Sequence, residues 1–227
     1  MKNSKTVPAK KPVEDFSDRL AQCYTGAVYD VLRAMGHRGQ ALPPGITAIN
    51  PETKLAGIIY TVSGRPAPEL DGHETLLRWT ALLSKAPKGA IVVCQPNDST
   101  LAHMGELSAE TLTFRGVKGY LVDGGCRDTD FILRLGFPVF CRYRTPVDVV
   151  GRWAAETFGE PVEIGGVRIE TGDYLLADRD GAVIIPAKLV KQVVTATEKV
   201  MRTENKVRTA ILQGVDPQEA YLKYGKF

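Results

Sequence analysis

The hydrophobic positions of this chain follow helical spacing in some segments and strand-like runs in others. Near the start, Val28, Leu32 and Met35 share one face of a predicted helix that Thr25 caps and Gly36 ends. The run LAGIIYTVSG is rich in β-branched and aromatic residues and predicts a buried strand. HETLLRWTALLSKAPKG then predicts a helix, and AIVVCQP predicts the next strand.

The alternation continues through the middle of the chain. LAHMGELSAETLTFRG predicts a helix ending at Gly116, YLVDGG predicts a strand, and RDTDFILRLG predicts a short helix ending at Gly136. FPVFCRY supplies one more strand. Strands and helices in this succession predict a central sheet with parallel crossover units.

The pattern changes in the last third of the chain. From Pro161, four short strands separated by glycine turns (PVEIGG, VRIETGD, YLLADRDG and AVIIP) predict a second, antiparallel sheet layer. Residues 187–212 return to helical spacing and carry many charges. We therefore expect a flexible arm over 1–13, a single α/β catalytic domain over 14–186, and a helical extension over 187–227 that packs on a neighbouring subunit.

Composition narrows the classes of partner. The 227 residues are 44% hydrophobic and 24% charged, which suits one substantial core. The net charge of +3 comes from basic and acidic residues mixed along the chain, so nucleic acid is not an expected partner. The lysine- and proline-rich start has no apolar signal-peptide segment, and no later run approaches the roughly 20 apolar residues of a membrane span. We expect no membrane partner.

The four cysteines, at positions 23, 94, 126 and 141, are far apart and form no CxxC pair. This spacing argues against a zinc knuckle or a disulfide framework and favours a cytoplasmic location. Cys126 follows a glycine pair near a helix start, but no histidine lies nearby in sequence to activate it, so we interpret it as a small turn residue. VDGGCRD also lacks the G-x-G-x-x-G spacing of a nucleotide site.

Two predicted helix starts carry the candidate chemistry, since each follows the carboxyl end of a predicted parallel strand, where ligand sites collect. Arg127, Asp128 and Asp130 lie at one start and Glu106 at the other, with twenty residues between Glu106 and Arg127. Helix N-termini bind anions, and the planar fork of an arginine suits a carboxylate. The alternative is that the aspartates only cap their helix and that Glu106 only complements its dipole. His103 is a further candidate for the site, whereas Trp79, Phe114 and Phe131 are assigned to core or subunit contacts.

This spacing, within GELSAETLTFRGVKGYLVDGGCRD, resembles the 4-hydroxy-4-methyl-2-oxoglutarate aldolase family, whose fold is shared with the regulators of ribonuclease activity A. GFPVF and GDYLLADRDGAVIIP extend the resemblance, and YTGAVYDVL does so more weakly. It implies an α/β fold of the three-layer β/β/α swivelling type with mixed sheets, assembled as a homotrimer or homohexamer.

The resemblance also implies the chemistry of a class II pyruvate aldolase. A divalent ion, Mg²⁺ or Mn²⁺, would bind a small 2-oxo acid, and the enzyme would cleave 4-hydroxy-2-oxo acids to pyruvate and decarboxylate oxaloacetate. Asp128 would bind the metal, Glu106 would orient its waters, and Arg127 would contact the keto or enolate oxygen. The resemblance places the substrate carboxylate at the start of the first helix, on Gly105, Leu107, Ser108, Ala109 and Glu110.

Two further expectations come from the resemblance. Glu204 would reach the metal site of a neighbouring subunit, although a solvated helix face is the alternative explanation for it. Glu106 stands where the characterised aldolases usually have aspartate, which puts substrate preference in question. The rival function is that of a catalytically silent regulator on the same fold.

Overall fold

In the computed structural model, which describes residues 14–226, helices pack on one face of a mixed sheet. The arm predicted over residues 1–13 lies outside the described residues. The helices are α1 Ser17–Ala21, α2 Thr25–Ala34, α3 Gly72–Lys85, α4 Glu106–Phe114, α5 Thr129–Leu135, α6 Val190–Leu212 and α7 Pro217–Tyr224. The strands are β1 Thr47–Ala48, β2 Leu55–Pro66, β3 Ile91–Gln95, β4 Gly119–Val122, β5 Gly125–Cys126, β6 Val139–Cys141, β7 Tyr143–Arg144, β8 Trp153–Phe158, β9 Val162–Ile164, β10 Val167–Ile169, β11 Tyr174–Asp178 and β12 Gly181–Ile185.

The main sheet has eight strands, in the order β1-β6-β4-β3-β2-β11-β12, with β8 pairing on β2. β2, β3, β4 and β6 are mutually parallel, as the predicted crossover units require, whereas β11 and β12 are antiparallel. The predicted α/β class with mixed sheets is therefore confirmed. The predicted second sheet is only partly separate, because β9 and β10 form a hairpin of their own while β11 joins β2.

Strand β8 was not predicted, because WAAETF shows no strong alternation and no β-branched run. It pairs with the second half of β2, across a register shift between Ser63 and Gly64. A Cβ on Gly64 would lie 2.1 Å from the Trp153 ring, so only glycine lets this indole pack against the strand. The pairing brings the segment before β8 to the edge of the sheet where β3 ends.

Side-chain alternation along the strands divides the core. Ile91 and Val93 of β3 face the cluster under the β9–β10 hairpin, whereas Val92 and Cys94 face α3, α4 and α5. Residues of α1, α2 and the first half of α6 form a third cluster against β11 and β12. The start of α6 therefore packs on its own chain. Contact of its second half, or of α7, with a neighbour stays a prediction.

Two helix starts differ from the predictions. The LAHMGELSAE helix begins at Glu106, because the residues before it run extended beside β5. Thr25 is the first residue of α2 and not its cap: its N–H and hydroxyl donate to Asp178 at 2.8 and 2.6 Å. Of the helices over residues 14–226, none has the length and apolar character needed to span a membrane.

Candidate functional site

A short backbone ladder brings the two predicted helix starts together. The extended segment before α4 runs parallel to β5, and the His103 N–H donates to the Gly125 carbonyl at 2.8 Å. The Arg127 N–H, two residues after Gly125, donates to the carbonyl of Met104, one residue after His103, at 2.9 Å. The first turn of α4 therefore lies beside the first turn of α5, although twenty residues separate Glu106 from Arg127 in sequence.

Gly105, at the N-cap of α4, allows this close approach. A Cβ at this position would lie 2.8 Å from Asp128 Oδ2 and 3.2 Å from Arg127 Nε. The backbone of Gly105 is extended, with φ −148°, so the requirement is for space and not for a left-handed conformation. Any side chain here would push the arginine and the aspartate away from the start of α4.

Asp128 has an unusual conformation and an unexpected partner. It is one of two non-glycine residues in the described chain with positive φ, at φ 56° and ψ 34°, which costs about 1 kcal/mol. It is the N-cap of α5 but makes no side-chain cap there. Its Oδ2 instead accepts from the Glu106 N–H at 3.1 Å. The alternative explanation, that this carboxylate only caps its own helix, is therefore wrong for Asp128, because the left-handed turn aims it at α4.

Two carboxylates flank the Arg127 guanidinium. Its Nε lies 3.6 Å from Asp128 Oδ2, and its Nη1 donates to Asp148 Oδ2 at 3.4 Å. The side chain is 39% exposed, so it is held in orientation yet open to a ligand.

Asp148 did not emerge from the sequence, where it is a single aspartate in the loop after β7 with no motif around it. Two hydrogen bonds place it. The Ala102 N–H donates to the Val147 carbonyl at 2.8 Å, and the Val150 N–H donates to Asp148 Oδ1 at 3.2 Å. The same extended segment that carries the start of α4 thus also fixes the loop that orients Arg127.

The start of α4 has few free backbone donors. The Glu106 N–H is taken by Asp128, and the Ala109 N–H donates to the Gly105 carbonyl at 3.0 Å. Among the hydrogen bonds of residues 14–226, none engages the N–H groups of Leu107 and Ser108. Of the predicted positions, Ala109 is therefore engaged and Glu110 lies beyond the unpaired first turn, whereas the N–H groups of Gly105, Leu107 and Ser108 have no acceptor among residues 14–226.

An open cleft of about 700 Å³ lies in front of these groups. Trp79 of α3, buried as predicted, also reaches the cleft, where its Nε1 donates to Ser108 Oγ at 2.9 Å. Phe114 and Phe131 are 93% and 48% exposed, so neither belongs to the core of this chain. The cleft is lined by Leu76, Trp79, Thr80, Leu83, Ala102, Met104, Gly105, Glu106, Leu107, Ser108, Arg127, Asp128, Asp148, Val149 and Val150.

His103 lies behind the cleft and does not line it. Its side chain is fully buried, edge-on to the Trp153 ring at 5.1 Å, and its Nε2 is 3.6 Å from Asp98 Oδ1. Burial lowers the pKa of His103 to about 4, although Asp98 opposes the shift. The imidazole is therefore neutral near pH 7.

Cys126 is also buried, beside Cys141. The hydrogen bond with Cys141, and then burial, raise the pKa of the Cys126 thiol. A buried thiol that stays protonated is a poor nucleophile, in agreement with the interpretation of Cys126 as a turn residue.

Glu204 lies outside the cleft of its own chain, in a groove along α6. The Tyr24 hydroxyl donates to it, and Lys226 Nζ lies 3.5 Å from its Oε1. Burial and the hydrogen bond to Glu204 raise the pKa of Tyr24 to about 12. The contribution of Glu204 to a neighbouring subunit's site stays a prediction.

Few side chains of the cleft can serve as ligands of a metal ion. Across residues 14–226 there is no group of three or more His, Cys, Asp or Glu side chains placed to hold one. Asp128 and Glu106 supply carboxylate oxygens at the mouth of the cleft. This set fits Mg²⁺ or Mn²⁺, which need one or two carboxylates and complete their shell with water and substrate oxygens.

Comparisons with known proteins agree on one family. The RraA-like family model, Aldolase/RraA, matches residues 25–184. Protein DlpA of Legionella pneumophila is 30% identical over 210 residues, covering 91% of this chain but 33% of that protein, so the chain spans about a third of its length. A Halalkalibacterium halodurans protein named "Putative 4-hydroxy-4-methyl-2-oxoglutarate aldolase" is 25% identical over 209 residues, which cover 92% of this chain and 94% of that one.

A solved structure shows the same fold. Streptomyces coelicolor RraAS2, described as an unusual member of the RNase ES inhibitor RraA protein family, superposes with a TM-score of 0.78 at 24% identity. The match covers 86% of this chain and 96% of that one. The expected fold is thereby confirmed.

Proposed function

The chain belongs to the RraA-like family, and we propose that it is a divalent-metal-dependent lyase that releases pyruvate from 4-hydroxy-2-oxo acids and decarboxylates oxaloacetate. Membership confirms the resemblance drawn from the sequence motif. One observation carries the proposal: Arg127 and Asp128 lie against an α4 start whose Leu107 and Ser108 amides have no acceptor among residues 14–226. This arrangement matches the needs of a 2-oxo acid, which has a carboxylate beside a polarisable carbonyl.

The substrate carboxylate would accept from the Leu107 and Ser108 N–H groups at the positive end of the α4 dipole. The guanidinium of Arg127 would donate to the 2-oxo oxygen, where negative charge develops as the enolate forms. Asp148 and Asp128 hold that guanidinium from two sides, so little reorganisation is needed during the reaction.

The bond changes need no oxidant or co-reactant. In the aldol cleavage the C3–C4 bond breaks, the C4 hydroxyl loses its proton and becomes the product carbonyl, and C3 gains a proton to give pyruvate. In oxaloacetate the same bond breaks, carbon dioxide leaves and C3 again gains a proton. Both reactions pass through charge on the 2-oxo oxygen, so Arg127 serves both.

Asp128, with Glu106 beside it, would hold the divalent ion, which supplies Lewis-acid polarisation of the 2-oxo group when bound. Glu106 is the first residue of α4, so its carboxylate lies at the helix end where a negative charge is favoured. A glutamate there reaches one methylene further than an aspartate, which Mg²⁺ or Mn²⁺ can accept because water completes the shell.

The test is pyruvate release from a panel of 2-oxo acids, with Mg²⁺, with Mn²⁺ and with excess chelator. We expect turnover with either metal, loss of turnover on chelation, and recovery when metal is added back. Asp128→Asn should weaken metal binding, so that its rate rises with Mn²⁺ concentrations that already saturate the wild type. Full activity in excess chelator contradicts the metal assignment.

The rival is a regulator without catalysis, since the Streptomyces coelicolor relative belongs to a family of RNase ES inhibitors. The regulator hypothesis predicts that no substrate in the panel yields pyruvate, even with metal present, and that result would support it. The same result would put in question the expectation that nucleic acid is not a partner.

We further propose that the protein assembles as a homotrimer or homohexamer and that Glu204 completes the metal site of a neighbour. The test mixes subunits carrying Arg127→Lys with subunits carrying Glu204→Gln. If the two residues meet across an interface, mixed assemblies contain intact sites and regain activity that neither variant has alone. Activity that equals the mean of the two variants contradicts the shared site.

A further inference from the structure

We infer that, in the aldol substrate, the part beyond the pyruvyl unit is uncharged and apolar, so that in aldol cleavage this protein prefers aliphatic 4-hydroxy-2-oxo acids to dicarboxylic ones. The inference rests on the proposed function and narrows its substrate class. It comes from the unequal distribution of polar and apolar groups in the cleft.

The polar groups of the cleft lie together, around the two helix starts. Arg127, Asp128 and Asp148 are joined by ion pairs, and Glu106 and Ser108 lie on the first turn of α4. The pyruvyl unit would occupy this end, because it carries the carboxylate and the 2-oxo oxygen.

The remaining wall, formed by α3 and the loop after β7, is apolar apart from Thr80. One face of α3 supplies Leu76 and Leu83, seven residues apart and so on the same side of the helix, and the loop after β7 supplies Val149 and Val150. Leu76 is 44% exposed and Val150 is 36% exposed, so apolar surface remains in contact with water there. A ligand group that covers this surface gains by the hydrophobic effect, which a charged group cannot do.

The charges of the cleft point to the same conclusion. Among its lining residues in the described chain, Arg127 is the only cation, against the three carboxylates of Glu106, Asp128 and Asp148. A divalent ion and the pyruvyl carboxylate together leave the cleft with an excess negative charge. A second substrate carboxylate would find no free cation among the cleft residues of this chain and would lose its hydration against leucine and valine side chains.

The experiment compares two substrates of nearly equal size with Mg²⁺ present. 4-Hydroxy-5-methyl-2-oxohexanoate carries an isopropyl group where 4-hydroxy-2-oxoglutarate carries a carboxylate, and each yields pyruvate and one aldehyde. We expect kcat/KM to be at least ~10-fold higher for the isopropyl substrate, the scale on which pocket contacts discriminate. Equal values, or a preference for the dicarboxylate, overturn the inference and leave the proposed lyase function standing.

A charge introduced into the apolar wall should change the preference. Val150→Arg places a cation at the cleft, and we expect the ratio of kcat/KM values to move at least ~10-fold toward the dicarboxylate. Val147→Arg is the matched control: Val147 is similarly exposed at 37%, belongs to the same loop and does not line the cleft. A shift of the same size in both variants would mean that general charge, and not the wall, sets the preference.

Binding separates this inference from the proposed function. Calorimetry with Mg²⁺ compares 5-methyl-2-oxohexanoate with 2-oxoglutarate, which lack the 4-hydroxyl group and cannot undergo the aldol cleavage. Tighter binding of the isopropyl compound supports the inference even if no aldol substrate turns over, in which case the lyase proposal fails alone. Equal or tighter binding of 2-oxoglutarate overturns the inference whatever the turnover.

Discussion

In two helices of this protein, α2 and α4, the first backbone N–H donates to an aspartate from a distant segment, but the two aspartates bind differently. At the start of α2, Asp178 at the end of β11 accepts from the Thr25 N–H at 2.8 Å and from the Thr25 hydroxyl at 2.6 Å. At the start of α4, Asp128 makes one hydrogen bond, of 3.1 Å, to the Glu106 N–H. The first aspartate makes two short bonds, whereas the second makes one long bond and adopts a left-handed backbone.

The difference separates stabilisation from function in two parts of the helical layer, one over β11 and β12 and the other over β3 and β4. The α2 cap lies in the layer where α2 and α6 cover β11 and β12, and it satisfies donors that would otherwise be unpaired. At the start of α4, the Leu107 and Ser108 amides have no acceptor among residues 14–226, and Asp128 has a strained backbone beside Arg127. This arrangement is unfavourable for stability unless a ligand occupies the cleft. We therefore expect changes near α2 to affect folding, and changes near α4 to affect activity.

The largest effect should come from removing the partner of α2. A chain truncated before Ala187 lacks Val190, Val193 and Val194, all buried in the α2 layer. Burial of such side chains is worth about 1.5–3 kcal/mol each, so their loss is comparable with the whole stability of a domain, about 5–15 kcal/mol. We expect no cooperative unfolding transition by circular dichroism, together with loss of assembly and activity.

Truncation after Gly214 is the control, since it keeps α6 and removes α7, in which Ala220 is the one buried residue. This chain should still unfold cooperatively. A well-folded, active monomer from the truncation before Ala187 would contradict both the role of α6 in the core and the proposed assembly.

Acid should weaken the cleft side through His103. Burial lowers its pKa to about 4 in the folded chain, below the ordinary value of 6.5, so the unfolded chain takes up the proton first. The free energy of unfolding is therefore higher above about pH 6.5, where His103 is neutral in both states, and it decreases as the pH falls toward 4. The difference between the two ends of this range is about 3 kcal/mol.

Urea titrations between pH 4 and 7 measure this dependence. His103→Gln should flatten the stability profile in that window, whatever its effect at pH 7, and His73→Gln, at an exposed position, should not. An unchanged profile in His103→Gln would mean that the imidazole is not held neutral by burial.

Local patterns predicted most of the fold but only part of the site. Strand β2 and helix α5 were predictable because their signals, a β-branched run and a glycine stop at Gly136, are contained in the segments themselves. Arg127 and Glu106 were predictable from a spacing that resembles a family. Asp148 was not, because its contact with Arg127 depends on hydrogen bonds between three segments distant in sequence. The direction of the Asp128 carboxylate depends on its left-handed backbone, which the sequence does not reveal.

Replacement of the cleft arginine should affect the reaction and spare the fold. Arg127→Lys keeps the positive charge but loses the planar fork between Asp128 and Asp148. We expect kcat for oxaloacetate to fall by at least ~10²-fold, the scale of losing one transition-state donor. Arg134→Lys, at an exposed position of the helix α5 that follows, should retain near-native kcat. Near-native turnover in Arg127→Lys would remove Arg127 from the chemistry.

The smallest effect should come from the α2 cap itself. Asp178→Ala removes the acceptor of both Thr25 hydrogen bonds, and loss of an N-terminal cap costs typically about 1 kcal/mol. The midpoint of urea unfolding should fall accordingly, with kcat/KM unchanged, because Asp178 lies outside the cleft. Asp180→Ala, two residues further and exposed, should leave the midpoint within experimental error. A large loss of activity with unchanged stability in Asp178→Ala would contradict the separation of the two regions, since it would connect the α2 start with the cleft.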